Sequence, residues 1–401
     1  GVKLFAPILL FLSSLSAEIY DVSIPENDTA SYNYADFRMW VNDSTDTLRG
    51  IYWFMHPNNG DSRNIVTDST YQALVSEQDF ALMGAHIFNM HMNTGIGDAV
   101  IAAMDSFAVL FRHDELEFIP FFVNGYSWGG QFGYHFTKWI PERVVGFITQ
   151  KGGYHDTTDA GDAIEVPGLM FIGENDLPYR IENLTGIFLE HRPLGAKWIL
   201  AMEQGTGHTQ VTDYSFLNSF FNTITNLRLP DSVDVFQPIQ LNTLPDTLGW
   251  VGDQNSWIIG SFDCYDGLID SSSWFPSKNV GERWQYFVSE GEVNDTSECD
   301  GSVGIDIRIH VPTDFLLYHP YPNPFNPSTT LRFNIPSNTT KPVLINIYDI
   351  AGSVVKTVIN ERIESGYHEI QWNLTASSSG VYFVELRIGE KRLVQKLLFL
   401  K

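Results

Sequence analysis

The chain has 401 residues, 43% hydrophobic and 18% charged, which is enough apolar material for a full core and too much for a disordered polymer. Asp and Glu number 48 against 24 Lys and Arg, a formal net charge of −24. Such an excess repels phosphate, which excludes nucleic acid and anionic membrane as partners and suits an exported protein kept soluble by its acidic surface.

The first feature along the chain is an address. Lys3 precedes the apolar run 4–12, and small residues follow as far as Ala17. A charged, then apolar, then small-residue layout predicts a secretory signal peptide over 1–17. The apolar run is too short to cross a bilayer and no later one is long enough, so no membrane span is expected.

Over 18–230, apolar runs alternate with amphipathic stretches. Strands are predicted at 37–41, 50–55, 80–86, 119–124, 144–150, 168–173 and 197–202. A helix over 98–112 lines up Val100, Ile101, Met104, Phe107, Ala108 and Phe111 on one side, and a last helix fits 213–226. This is an α/β pattern: a mostly parallel sheet flanked by helices.

Within it, Gly125-Tyr126-Ser127-Trp128-Gly129-Gly130 joins the apolar run 118–123 to a helical stretch over 131–139. Strand, G-x-S-x-G, then helix predicts a turn so tight that Ser127 takes strained backbone angles, with glycines where a Cβ would collide. The turn lifts the hydroxyl off the sheet and sets a helix N-terminus behind it, where developing negative charge is favoured. A serine hydroxyl still needs a base within hydrogen-bond reach. Downstream, strand 169–172 leads into Gly173-Glu174-Asn175-Asp176, and strand 197–200 is followed by Gly205-Thr206-Gly207-His208. Each gap fits one βα unit, so Asp176 as acid and His208 as base are expected on the same sheet edge as Ser127. Glu174, Asp159 and Asp162 are alternative acids; Asp176 sits better, at the crest of a turn that leaves a strand. His155, after the strand that follows the elbow, is expected to line the substrate pocket. His86 and His91 have no third ligand at convincing spacing, so no metal site is expected, and no organic cofactor is required. An oxyanion needs two donors. One is the backbone N–H of Trp128; the other is expected from the loop His56-Pro57-Asn58-Asn59-Gly60. Proline has no N–H, which leaves Asn58 or Asn59, with Asn58 favoured.

The elbow resembles that of the α/β-hydrolase superfamily, whose catalytic residues follow in the order serine, acid, histidine. Residues 35–229 are similar to secreted esterases of the feruloyl esterase and polyhydroxybutyrate depolymerase type, through the His56 loop, Gly125 to Gly130, the Gly173-Glu174-Asn175-Asp176 turn and Gly207-His208. The chain departs from many relatives in carrying His56-Pro57 where they have His-Gly. The resemblance implies hydrolysis of a carboxylic ester, an acylated polysaccharide or a polyester, through an acyl-serine intermediate. The alternatives are a serine peptidase and a non-catalytic surface binding protein on the same scaffold.

Residues 231–315 hold Trp250, Trp257, Trp274 and Trp284 among Asp, Ser, Gly and Asn with weak periodicity. Short strands and loops are expected, as a small β module or as a cover packed on the preceding domain. Exposed tryptophans would grip a polymer by stacking, whereas buried ones would be core. The chain's two cysteines, Cys264 and Cys299, predict one disulfide in an exported protein.

The last domain, 316–401, opens with four prolines over 318–330, a rigid extended entry. Strand-like segments follow at 331–335, 343–348, 353–358, 368–372, 381–386 and 393–400, with Gly366, Gly380 and Gly389 at turns. This predicts an all-β, immunoglobulin-like sandwich. The stretch 319–401 also resembles the C-terminal sorting domain of the bacterial type IX secretion pathway. The likeness rests on Tyr321-Pro322-Asn323-Pro324-Phe325-Asn326-Pro327, Ile347-Tyr348-Asp349 with Gly352, Gly380-Val381-Tyr382-Phe383 and Lys396-Leu397-Leu398. It implies the outer-membrane secretion machinery as a partner, then release or attachment at the cell surface.

Overall fold

The computed structural model describes residues 18–27, 30–58, 60–230, 234, 236–289, 291, 296–297, 316–317, 320, 323, 325–335, 339, 341–363, 366–374, 378–389 and 391–401. The predicted signal peptide and Cys299 lie outside them, as do Asn59 and residues 318, 319, 321, 322 and 324 of the proline-rich entry. The chain divides into two compact units, 1–299 and 300–401.

The first unit is an α/β fold organised around one mostly parallel sheet. Its sheet is built from β1 (Glu18–Ile24), β2 (Ala35–Val41), β3 (Gly50–Met55), β4 (Phe80–Ile87), β5 (Phe121–Tyr126), β6 (Val144–Gln150), β7 (Gly168–Gly173) and β8 (Trp198–Glu203). Their order is β1-β2-β4-β3-β5-β6-β7-β8. β2 runs antiparallel to both of its neighbours, β1 and β4, and every other pairing is parallel. Strands β3, β6 and β7 are buried at every position, as expected where helices cover both faces of a parallel sheet. That is why they read as largely apolar runs. The edge strand β1 buries only Val22. It carries no such run, and the sequence gives no sign of it. Strand β5 starts two residues later than predicted, after Pro120, which has no N–H to give a ladder.

The helices are α1 (Ser69–Ser76), α2 (Ile96–Phe111), α3 (Trp128–Trp139), α4 (Pro178–His191) and α5 (Tyr214–Arg228). Asp68 and Asp213 cap α1 and α5 by accepting from first-turn N–H groups.

The described part of the tryptophan-rich segment does not stand apart. It folds onto the first unit as short strands β9 (Trp250–Gly252), β10 (Ile259–Ser261), β11 (Ser273–Phe275) and β12 (Thr296–Ser297), with a helix α6 (Lys278–Val288) that the weak periodicity did not predict. Trp274 and Trp284 are fully buried in the common core, and Trp250 and Trp257 are half-buried against it. Their neighbours explain the arrangement. β8 is the outer strand of the main sheet, and its Leu200 N–H donates to Ser273 Oγ (2.9 Å) while its carbonyl accepts from Trp284 Nε1 (2.8 Å). The segment thus closes an edge that would otherwise expose unpaired backbone.

The second unit is a β-sandwich. Its described sheets are β13 (Leu316–Leu317), β14 (Ser328–Ile335) and β17 (Gly366–Asn373) in the order β13-β14-β17, and β15 (Val343–Asp349), β16 (Val354–Glu361), β18 (Gly380–Ile388) and β19 (Lys391–Phe399) in the order β16-β15-β18-β19. All pairings are antiparallel. Leu331, Phe333, Ile345, Ile347, Val384, Leu386, Leu397 and Phe399 fill the core. No helix among the described residues is long and apolar enough to cross a membrane.

Candidate active site

β5 runs into α3 through Ser127, whose φ of 55° and ψ of −119° lie outside the ordinary regions for a residue with a side chain. Such a conformation costs about 1–3 kcal/mol and persists where its surroundings over-determine it. The Ser127 N–H donates to Gln150 O at the end of β6 (2.7 Å). A Cβ on Gly125 would lie 2.2 Å from the carbonyl carbon of Gly129, and one on Gly129 would lie 2.6 Å from the carbonyl oxygens of Met55 and His56. Only glycine lets the strand, the helix and the loop after β3 approach so closely.

The structure brings Ser127, His208 and Asp176 together. Ser127 Oγ is 2.8 Å from His208 Nε2, and His208 Nδ1 is 2.9 Å from Asp176 Oδ2. The Asp176 side chain is 2% exposed. Its second oxygen accepts from the Leu177 N–H (2.7 Å) and from Arg180 Nη1 (2.9 Å). Burial pushes this carboxyl up, but the bonds from His208, Arg180 and Leu177 together outweigh it and hold it below the usual carboxylate range. An ionised carboxylate at Nδ1 fixes the tautomer with its proton on that nitrogen and leaves Nε2 to accept from the hydroxyl. The arrangement is therefore able to draw a proton from Ser127 and stabilise the imidazolium that results.

Several supporting groups escaped the sequence. Arg180 lies on the first turn of α4, one turn past Asp176. Tyr126, the variable residue inside the motif, donates its hydroxyl to His208 O (2.7 Å) and lays its ring 5.3 Å from the imidazole. Burial raises the Tyr126 phenol, so it stays a neutral donor. A buried polar chain runs beneath: Asn124 Nδ2 donates to Tyr52 Oη, Gln150 Nε2 to Asn124 Oδ1 (both 2.8 Å), and the Val211 N–H to Gln150 Oε1 (3.0 Å). The available signal was a polar residue inside each of two apolar strands, since a buried amide must find partners.

The other acid candidates have different work. Glu174 accepts from the Gly205 N–H (2.7 Å), Asp159 from the Gly161 N–H (3.0 Å), and Asp162 sits in the short 3-10 turn Gly161–Glu165. His155 must be corrected. It is 4% exposed, its Nε2 lies 2.8 Å from Thr149 Oγ1 and its Nδ1 3.1 Å from Asn183 Oδ1. Burial lowers its pKa to about 3, which keeps it neutral. The ring fills the space under Gly152, where a Cβ would come within 2.4 Å of His155 Cε1. It is a core histidine; an exposed side chain of this loop is Tyr154, whose ring lies 5.2 Å from that of Tyr179 at a tilt of 33°. His86 Nε2 faces Tyr34 Oη (3.3 Å), and His91 packs edge-on to Trp128 (5.1 Å).

Trp128 opens α3, so its amide is one of the four that have no acceptor within the helix. Its indole donates to Met90 O (3.3 Å). The loop after β3 passes beside this helix start through the Gly129 contact, and Asn58 is exposed in a turn closed by the Gly60 N–H on Pro57 O (2.8 Å).

The family model described as the secretion system C-terminal sorting domain matches residues 319–400. The second unit is thus a sorting domain, and the protein is secreted or held at the cell surface. No curated protein matches the chain. Among solved structures, it is similar to an S-formylglutathione hydrolase from Agrobacterium tumefaciens, with 13% identity, 53% of this chain and 96% of that one covered, and a TM-score of 0.41. It is similar to a fluorophosphonate-binding serine hydrolase of Staphylococcus aureus, at 11% identity, 52% and 97% coverage and a TM-score of 0.37. It is also similar to the feruloyl esterase module from Clostridium thermocellum, at 10% identity, 49% and 83% coverage and a TM-score of 0.37.

Proposed function

We propose that the chain is an exported serine hydrolase that cleaves carboxylic esters through an acyl-serine intermediate. The observation that carries this reading is the unbroken run of hydrogen bonds from Ser127 Oγ through His208 to a buried Asp176. Ser127 Oγ forms a bond to the ester carbonyl carbon while its proton passes to His208 Nε2. Amides of Trp128 and Asn58 donate to the oxyanion. Collapse breaks the bond to the leaving oxygen, which takes the proton from Nε2 and departs as the alcohol. Water then gives a proton to His208 and adds to the acyl carbon. The second collapse returns that proton to Ser127 Oγ and frees the acid. Asp176 holds the imidazole in place and stabilises its charged form throughout.

In this reading residues 1–17 are removed on export, 18–230 catalyse, 236–289 brace the sheet edge at β8, and 316–401 direct passage through the outer-membrane machinery. Cys264 and Cys299 pair once outside the cell. Export suits a substrate too large to enter, an acylated polysaccharide or a polyester.

The test is a panel of p-nitrophenyl esters, acetylated xylan, feruloylated sugars and polyesters, assayed with the intact chain and with Ser127→Ala. Release of acid from at least one ester, preceded by a burst of alcohol and lost in the variant, is expected. Cleavage of peptides alone would replace the reading with a peptidase. An Ser127→Ala variant as active as the parent would remove it.

A further inference from the structure

Lys151 is the residue directly after β6, and two features set it apart. Its side chain is 0% exposed, and its φ is 54°, in the left-handed region that a lysine rarely adopts. A buried ammonium and a strained backbone both oppose folding, and an ion pair in such a place is often replaceable by apolar packing. The contacts indicate what the residue is for. The ammonium has three protons, and it has three oxygens to receive them: the Glu203 carboxylate, Thr206 Oγ1 (3.0 Å) and Thr209 Oγ1 (3.2 Å). Two of these precede His208 in the chain and the third follows it. Glu203 and Thr206 are joined to each other as well (3.0 Å).

The loop so gripped would otherwise be slack. Gly205 turns it through a φ of 64°, and Gly207 lies next to the imidazole-bearing residue. The backbone around Lys151 ties in the remaining parts of the site. Its own N–H donates to Phe171 O in β7, the strand that leads to Asp176 (2.8 Å), and the preceding carbonyl, Gln150 O, receives the Ser127 N–H (2.7 Å).

We infer that Lys151 is a positioning residue for the reaction proposed above. It clamps residues 203–209 so that His208 stays within reach of Ser127 and Asp176 together. The inference rests on that reading of Ser127 and His208.

The experiment measures kcat and KM for a p-nitrophenyl ester with the full chain, Lys151→Met, and Lys151→Met/Glu203→Gln. The double variant removes both charges of the pair and so leaves no unpaired charge should the single one fail to fold. In whichever folds, kcat is expected to fall about 10²-fold, the effect of misplacing a reacting group by about 1 Å, with KM changed less than about twofold. Because the lysine acts through His208, the same change in a His208→Ala background is expected to leave the residual rate within about twofold. A folded double variant with kcat within about twofold of the parent would overturn the role, as would a loss that persists in the His208→Ala background. Ser127-dependent turnover in the parent is the separate control: if it is present, either result overturns the clamp alone.

Discussion

On one side of Ser127, the loops after β6, β7 and β8 are tied to one another by side chains. Asp176 holds His208 and is held by Arg180, Lys151 grips the His208 loop at three oxygens, Glu174 takes the Gly205 N–H, and Tyr126 takes the His208 carbonyl. On the other side, the loop after β3 meets the start of α3 through bare backbone, with the His56 and Met55 carbonyls packed on Gly129 and Asn58 exposed in a turn. The contrast matches what each side would supply in the proposed reaction. Moving a proton needs an imidazole fixed to within tenths of an ångström, which takes several directional bonds. Stabilising an oxyanion needs only N–H groups, which the chain carries at every residue except proline.

Substitutions can break or sharpen that contrast. The largest effect is expected at the proton-transfer side: Ser127→Ala is predicted to lower kcat on the order of 10⁶-fold, leaving the melting temperature and far-UV circular dichroism unchanged. Asp176→Asn, assayed the same way, is expected to cost on the order of 10⁴, because an amide at Oδ2 favours the wrong imidazole tautomer. A drop under tenfold would mean that the buried carboxylate does not govern the histidine. On the backbone side, Asn58→Pro removes one N–H, and a fall in kcat of about 10²–10³ is predicted, with Asn58→Ala near the parent since it keeps that N–H. Equal activity in all three chains would move the second oxyanion donor elsewhere.

The smallest expected effect separates the two histidines of the dense side. His155 is held neutral, with a pKa of about 3 against an ordinary 6.5. Between those values the unfolded chain takes up a proton that the native one refuses. Its contribution to stability is therefore complete above about pH 6.5 and is lost as pH falls toward about 3. In His155→Gln the unfolding free energy from urea titrations should lose its pH slope by up to about 1.4 kcal/mol per pH unit across that window. A slope identical to the parent's would show that the ring titrates normally.

The same contrast governs what the sequence disclosed. The glycine-flanked Ser127 and the turns bearing Asp176 and His208 were legible because each chemistry-bearing residue follows an apolar strand at the spacing of one βα unit. The sheet's buried strands were legible for the same reason, whereas β1 was not, since an edge strand with one buried side chain leaves no apolar run. His155 was misassigned because a histidine two residues beyond a glycine pair reads alike whether it faces solvent or core; only packing under Gly152 distinguishes them. Lys151 and Gln150 stayed hidden because their partners are remote in sequence, and nothing local marks a lysine whose acceptors lie some fifty residues on; Arg180 lies only four residues from Asp176, but at that spacing it reads as an ordinary charge on the first turn of a helix. The tryptophans of 250–284 had two readings, and what decided between them was the unpaired edge of β8, a feature of the sheet and not of the segment itself.

The most direct measurement is intact-mass and peptide-level analysis of the full chain after exposure to a fluorophosphonate. One covalent phosphonyl adduct, located on Ser127 and absent from both Ser127→Ala and His208→Ala, is the predicted result. A folded parent that takes up no label, or takes it up on another residue, would contradict the account.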